Sequence, residues 1–260
     1  MDLHLNGKVV AITGGSEGIG KAIALEFLKE GCKVAVTARR QAVLDDFYRE
    51  CVAAGFGENA MVFSADVTDS IKMAAFCDAV VEKFGRLDVW VNNAGRSLFK
   101  GLMEVSDAEW DECLELNLTA AFKGCRLAVK EMRKTGGGVI VNALSFAARI
   151  PVAGNGPYAV AKSGLKILTD VLAAELAADN IRVIGFTPGF IETPLTASRV
   201  AANKEYYEGQ CPARRVGVPG DLAPAVVFLC SDLAGYVTGT DIAVTGGKFC
   251  VQNPMYAWKK

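Results

Sequence analysis

The stretch "TGGSEGIG", residues 13–20, closes an apolar run and opens a helical pattern. Its glycines at 14, 15, 18 and 20 let the backbone approach a ligand closely. A loop that leads into a helix aims amide N–H groups and a positive dipole end at an anion. Glu17, at the centre, has the wrong sign for that work. The run before the loop, "KVVAIT" (8–13), is the first of seven short β-branched runs: "KVAVTA" (33–38), "AMVFSA" (60–65), "LDVWVN" (87–92), "GVIVNAL" (138–144), "IRVIGFT" (181–187) and "DIAVTG" (241–246) follow. The first six lack clean polar–apolar alternation, as strands buried on both faces should. Helical segments separate most of them. The expected fold is α/β: a doubly wound, mostly parallel seven-stranded sheet with helices on both faces. No repeat, linker or composition shift marks a boundary, so residues 1–260 read as one domain.

Ligands of such sheets bind outside the carboxyl ends of the strands. Those ends carry, in order, Gly14, Ser16, Glu17, Gly18, Ile19 and Gly20; Arg39 and Arg40; Asp66 and Val67; Asn93, Ala94 and Gly95 in "NNAG"; Ser145; and Pro188, Gly189, Ile191 and Thr193 in "PGFIET". A glycine loop after the first strand that opens a helix is a strong sign of a dinucleotide site in a Rossmann-type sheet.

Composition removes other classes. A net charge of −1 without a Lys/Arg block argues against nucleic acid as a partner. Eight cysteines lie scattered without a C-x-x-C pair, which suits buried thiols in a reducing compartment. The N-terminus reads without a leader and no apolar stretch is long enough to span a bilayer, so a cytoplasmic location is expected. The one histidine, His4, sits near the chain start. A Ser-His-Asp triad or a histidine metal cluster is therefore not expected, and acid–base chemistry falls to Tyr, Lys, Cys or a carboxylate.

"YAVAK" places Tyr158 and Lys162 one helical turn apart on one face. A free tyrosine titrates at about 10, so a base near neutrality needs a shift of roughly three units, or about 4 kcal/mol. A neighbouring ammonium favours the phenolate and can supply much of it. Tyr256 and Lys260 repeat the spacing, but Ser145 stands thirteen residues before Tyr158 whereas Ala243 stands thirteen before Tyr256. The second pair reads as a solvated tail.

From about residue 6 to residue 250 the chain resembles the short-chain dehydrogenase/reductase family. "TGGSEGIG", "DV" (66–67), "NNAG", Asn117 in "LNLTA", Ser145, "YAVAK" and "PGFIET" carry the likeness. The resemblance implies Tyr158 as catalytic acid/base, Ser145 on the substrate carbonyl or hydroxyl, and Lys162 lowering the tyrosine pKa and binding the nicotinamide ribose. It implies that Asn117 holds a water of the proton relay. It also puts Asp66 and Val67 at the adenine, Asn93 and Ala94 along the cofactor, and Ile191 and Thr193 at the carboxamide. The alternative for Asp66, followed by Thr68 and Asp69, is a turn and helix cap.

The second strand ends "VTARR". Ala38 stands where an NAD site carries aspartate, and Arg39 suits the 2′-phosphate of NADP. NADP(H) is therefore expected over NAD(H), although many NADP-dependent relatives have a basic residue where this loop has Glu17. A carboxylate about 5 Å from a phosphate costs about 3 kcal/mol at an effective dielectric of about 20. Pairing with Arg39 or Arg40 would offset it.

Helix 158–178 shows two apolar stripes, one through Ala161, Leu165, Leu168, Leu172 and Leu176, the other through Val160, Gly164, Ile167, Val171 and Ala174. A helix apolar on two faces is buried on two sides. With the similar segment 110–132, this predicts a homo-oligomer, and the resemblance raises dimer to tetramer. Phe146, Ala147, Ala148, Val152, Phe190 and Leu195 are expected around the reacting carbon, under a lid at about 194–216 that contains Tyr206 and Tyr207. The substrate should be a bulky, mostly apolar carbonyl compound rather than a polyol. "TPGFIETPLT" resembles 3-oxoacyl-[acyl-carrier-protein] reductases; the extension "KFCVQNPMYAWKK" suits a steroid-like ketone instead. Arg96 and Arg149 read as rim charges, with an acidic substrate tail as the alternative. The rival from another class is a non-catalytic dinucleotide-binding regulator.

Overall fold

A computed structural model describes residues 2–259; Lys260, half of the second Tyr–Lys pair, lies outside them. The strands are β1 (Val9–Thr13), β2 (Lys33–Ala38), β3 (Ala60–Ser64), β4 (Val89–Asn92), β5 (Gly138–Ala143), β6 (Ile181–Pro188) and β7 (Thr240–Val244). They form one sheet in the order β3-β2-β1-β4-β5-β6-β7, with every pair parallel. Between them run α1 (Gly18–Lys29), α2 (Gln41–Ala53), α3 (Ser70–Phe84), α4 (Asp107–Leu114), α5 (Ala120–Thr135), α6 (Gly156–Glu175), α7 (Ala197–Ala202), α8 (Lys204–Gly209) and α9 (Ala223–Cys230).

The sheet divides the core in two because successive side chains of a strand point to opposite faces. In β1, Val10 and Ile12 join Ile23, Phe27, Leu44 and Val226 of α1, α2 and α9. Val9 and Ala11 join Phe76, Cys125 and Met132 of α3 and α5. All five β1 residues are buried, which explains the unalternating apolar run. Burying a valine or isoleucine side chain fully stabilises by about 1.5–3 kcal/mol. The central strands are thus the most strongly held part of the sheet.

Strand order reverses between β1 and β4, where crossovers leave in opposite directions and open a crevice at the carboxyl ends. β4 starts later than the run at 87 suggests. Asp88 instead uses its carboxylate to accept from the Val9 amide and from Arg86. Seven of the eight cysteines are buried and Cys250 is exposed; none is in a disulfide. No helix among the described residues is long and apolar enough to cross a membrane.

Candidate active site

The glycine loop spans the gap between β1 and α1. Gly14 and Gly18 take left-handed backbone angles, φ +65° and +55°, which side chains other than glycine adopt at a cost. Gly20 is required for a different reason. A Cβ there would lie 2.3 Å from the Gly14 carbonyl oxygen and 2.5 Å from Asn93 Nδ2. Gly20 therefore packs α1 against the loop and is not among the residues that line the groove above it. Asn93 is likewise a brace: its Nδ2 donates to the carbonyls of Thr13 (3.1 Å) and Gly14 (3.0 Å). The Thr13 hydroxyl in turn accepts from the amides of Asn93 and Ala94. No side chain caps the first turn of α1, so its amides face the groove without an internal partner.

That groove, about 310 Å³, is lined by Gly14, Ser16, Glu17, Gly18, Ile19, Arg39, Arg40, Asp66, Val67, Asn93, Ala94, Gly95 and Thr193, together with Ala38 and Leu116. A glycine floor, uncapped helix amides and flanking arginines fit a pyrophosphate with a further anion at one end. Glu17 pairs with Arg40. Arg39 stays largely exposed, 3.8 Å from the Asp66 carboxylate. Burial pushes Asp66 up, but the amide and hydroxyl of Thr68, with Arg39 and Lys72, outweigh it and hold the carboxyl below its usual value. The turn reading of Asp66 is thus correct as geometry: Thr68 donates to its Oδ1 twice, while Asp69 caps α3.

Ser145, Tyr158 and Lys162, the candidate reacting groups, meet where β5 ends and α6 begins. Ser145 follows β5, buried, its Oγ accepting from the Ala147 amide at 3.1 Å. Tyr158 and Lys162 lie in the first turns of α6, which opens with Pro157. Lys162 Nζ donates to the Ala143 carbonyl (2.7 Å) and lies 5.7 Å from the centre of the Tyr158 ring. Burial lowers the Lys162 ammonium to about 8. Burial likewise raises the Tyr158 phenol, with Ser145 pulling the other way. The expected depression of the tyrosine by Lys162 is therefore not found in this chain alone. Both groups are desolvated, and desolvation disfavours whichever form is charged.

Asn117 sits in a π turn, Glu115–Thr119, between α4 and α5. Its side chain accepts from the Arg96 amide (3.0 Å) and donates to the carbonyls of Arg96 (3.0 Å) and Cys113 (2.9 Å). It ties the segment after "NNAG" to the helix. A Cβ on Gly95 would strike Asn117 Oδ1 at 2.7 Å and approach Lys162 Nζ at 3.4 Å, so Gly95, Asn117 and Lys162 form one packed corner.

Beyond Tyr158 opens a second cavity of about 490 Å³, which shares Ile19, Gly95 and Thr193 with the groove. Phe146, Ala147, Val152, Phe190 and Leu195 line it, and so do Pro188, Gly189 and Ile191, which the sequence reading puts along the cofactor and which do not line the groove. Ala148 does not; it lies behind, its carbonyl accepting from Ser163. The Phe190 ring packs 4.8 Å from Phe146 and 4.6 Å from Tyr207.

The family described as short chain dehydrogenase matches residues 8–204. The chain belongs to that family. It is an oxidoreductase of the kind that acts on CH–OH and C=O groups and binds a nicotinamide dinucleotide. This dehydrogenase is 37% identical over 245 residues to a 3-oxoacyl-[acyl-carrier-protein] reductase of Thermotoga maritima, covering 94% of this chain and 99% of the relative. It is 38% identical over 248 residues to 3beta-hydroxysteroid dehydrogenase 1 of Eggerthella lenta, covering 94% of each. A solved short-chain type dehydrogenase/reductase from Mycobacterium marinum superposes with a TM-score of 0.90 at 31% identity, covering 96% of this chain and 98% of that one.

Several residues around the dehydrogenase's cavity were not legible beforehand. Phe99, Ile150, Asn155, Arg199 and Lys248 all line it. Asn155 is buried, with no partner for its Oδ1. Arg96 is tied to Glu112 and Arg149 to Asp241, the latter away from the cavity. The sequence also hid a buried polar chain. Trp90 Nε1 donates to Asn92, Asn92 to Asn142, and Asn142 to Thr169 on α6. A lone Asn in each of two apolar strands was its only signal.

Proposed function

We propose that this dehydrogenase uses NADP(H) to interconvert a ketone and a secondary alcohol, with Tyr158 as acid/base. The carrying observation is that Ser145, Tyr158 and Lys162 converge where the dinucleotide-sized groove joins the aromatic cavity. The nicotinamide, when bound, supplies or accepts the hydride. Ser145 orients the substrate oxygen through its hydroxyl, and Tyr158, kept protonated by burial, gives that oxygen its proton in reduction. Lys162 holds a charge that favours the phenolate left behind. Asn117 keeps the 95–96 backbone and Lys162 in register. Arg39 takes the 2′-phosphate, because Arg40 is engaged by Glu17.

The aromatic cavity supports a bulky, mostly apolar substrate, a 3-oxoacyl compound first and a steroid-like ketone second. The segment 194–216, which carries α7 and α8 and brings Tyr207 onto Phe190, serves as the lid of a single catalytic domain. Val160, Ile167 and Val171 of α6 and Phe122 of α5 are exposed in the single chain, which supports a dimer or tetramer of this cytoplasmic enzyme. Light scattering at micromolar concentration tests the assembly. Turnover of oxoacyl thioesters, steroid ketones, aryl ketones and sugars, followed by NADPH absorbance, tests the substrate. Sugars as the best substrates would overturn the apolar-cavity reading.

A further inference from the structure

The substrate cavity holds positive charge that the protein does not neutralise. No aspartate or glutamate lines it, whereas Arg96, Lys162, Arg199 and Lys248 do. Arg96 is already paired with Glu112. Among the described residues, no carboxylate pairs with Arg199 or Lys248. Arg199 instead lays its guanidinium 3.4 Å from the centre of the Phe99 ring. Lys248 is brought over the cavity by the turn after β7, where Gly246 and Gly247 adopt φ +61° and +86°. Its Nζ donates to Gln210 Oε1 (2.9 Å) and lies 5.0 Å from the Phe190 ring centre and 5.7 Å from that of Phe146.

An ammonium has three donors, and a single amide oxygen with two aromatic faces leaves Lys248 short of an anion. Burial lowers its pKa below the usual lysine value, in keeping with a charge held there without a counter-ion. A carboxylate in the cavity would have been the simplest neutraliser, and none is there. The arrangement suits a ligand that brings its own negative charge into an otherwise aromatic space.

We propose that the physiological substrate carries an oxyanion, a carboxylate or a phosphate ester, which Lys248 and Arg199 bind while its apolar body lies against Phe146, Phe190 and Tyr207. This rests on the ketone–alcohol reading above and narrows its substrate class. Under the competing account, Lys248 is only a packing brace across the aromatic cluster.

The test uses three ketones with one shared body: 4-acetylbenzoate, 4-acetylphenyl phosphate and the neutral methyl 4-acetylbenzoate. The full-length enzyme with NADPH should reduce at least one anion with kcat/KM about tenfold or more above the ester, the gain residing in KM. The two anions together tell a carboxylate site from a phosphate site. Lys248→Met should lower the anion-to-ester ratio about tenfold, Lys248→Arg should keep it, and Arg199→Gln should lower it by a smaller factor. An ester reduced as well as both anions, or an equal loss for anion and ester in Lys248→Met, would overturn the proposal. Calorimetric titration of the same compounds into NADP+-loaded protein reads the preference without chemistry. Absent turnover with an intact binding preference counts against hydride transfer to these ketones, and an absent binding preference counts against the oxyanion.

Discussion

The two halves of the active cleft are built by different means. The proposed dinucleotide side consists of a glycine-rich backbone at the ends of β1, β2, β3 and β4, cross-braced by Thr13 and Asn93, with Glu17, Arg39 and Arg40 at one end. The substrate side consists of long side chains from four separate segments, around residues 96–99, 146–158, 190–207 and 248. The first half is fixed by steric necessity, since Gly20 admits no Cβ at all. The second is fixed by packing of rings and tethers, which tolerates exchange. In the proposed function the first half holds the dinucleotide and the second holds the substrate.

The sharpest way to break this comparison is at the boundary between the halves. Tyr158→Phe should cut turnover by about 10²–10⁴-fold and leave NADPH binding, read by fluorescence titration, near the parent level. Retained turnover would remove Tyr158 from the chemistry. Next in size is the adenosine end: Arg39→Ala should weaken NADPH by about 10–100-fold, as expected for losing charge-assisted hydrogen bonds worth about 1.5–3 kcal/mol. NADH should be little affected, and a parent enzyme that prefers NADH would refute the role given to Arg39.

The polar chain beneath both halves can be probed by stability. Thr169→Val leaves Asn142 Nδ2 buried without its acceptor, which should cost about 1–3 kcal/mol in denaturant unfolding. An unchanged midpoint would mean that the chain does not brace α6 on β5.

The pH profile sharpens the picture of the pair. Lys162 titrates at about 8 and Tyr158 above its usual value, both through burial. Reduction needs the protonated form of each, so its kcat/KM should hold below pH 8 and decline above it. Lys162→Met should abolish that inflection, and a break several units lower would implicate another group. The smallest effect belongs to Glu17→Ala. Removing one exposed carboxylate and releasing Arg40 should strengthen NADPH by only a few-fold, given the weak worth of exposed charge pairs.

Legibility in the sequence followed the same division. The strand–loop–helix unit at 13–20 could be read because glycines record steric demands in the alphabet itself. Tyr158, Lys162 and Ser145 could be read because short spacing and a strand end bring them together. Lys248 could not, since nothing local distinguishes it from a solvated lysine; only the turn at Gly246–Gly247 and the approach of Gln210 place it over the cavity. Burial of Tyr158 and Lys162 is not legible for a related reason: it is a property of the fold, and it opposes the attraction that spacing alone suggests.

The strand order has a consequence for how the chain reaches this state. The Val9 amide bonds to an aspartate 79 residues further on, and β1 finds its second neighbour only in β4. Non-local parallel pairing of this kind slows folding, because loop closure precedes the contacts that reward it. On a ribosome, β1, β2 and β3 can pair while the open edge of β1, apolar on both faces, waits for residues 89–92 to emerge. The glycine loop lies beside that waiting edge, and the groove above it also needs Asn93, Ala94, Gly95 and Thr193, so it is completed late in synthesis. A nascent chain arrested before residue 89 should therefore be a better client for chaperones than for nucleotide.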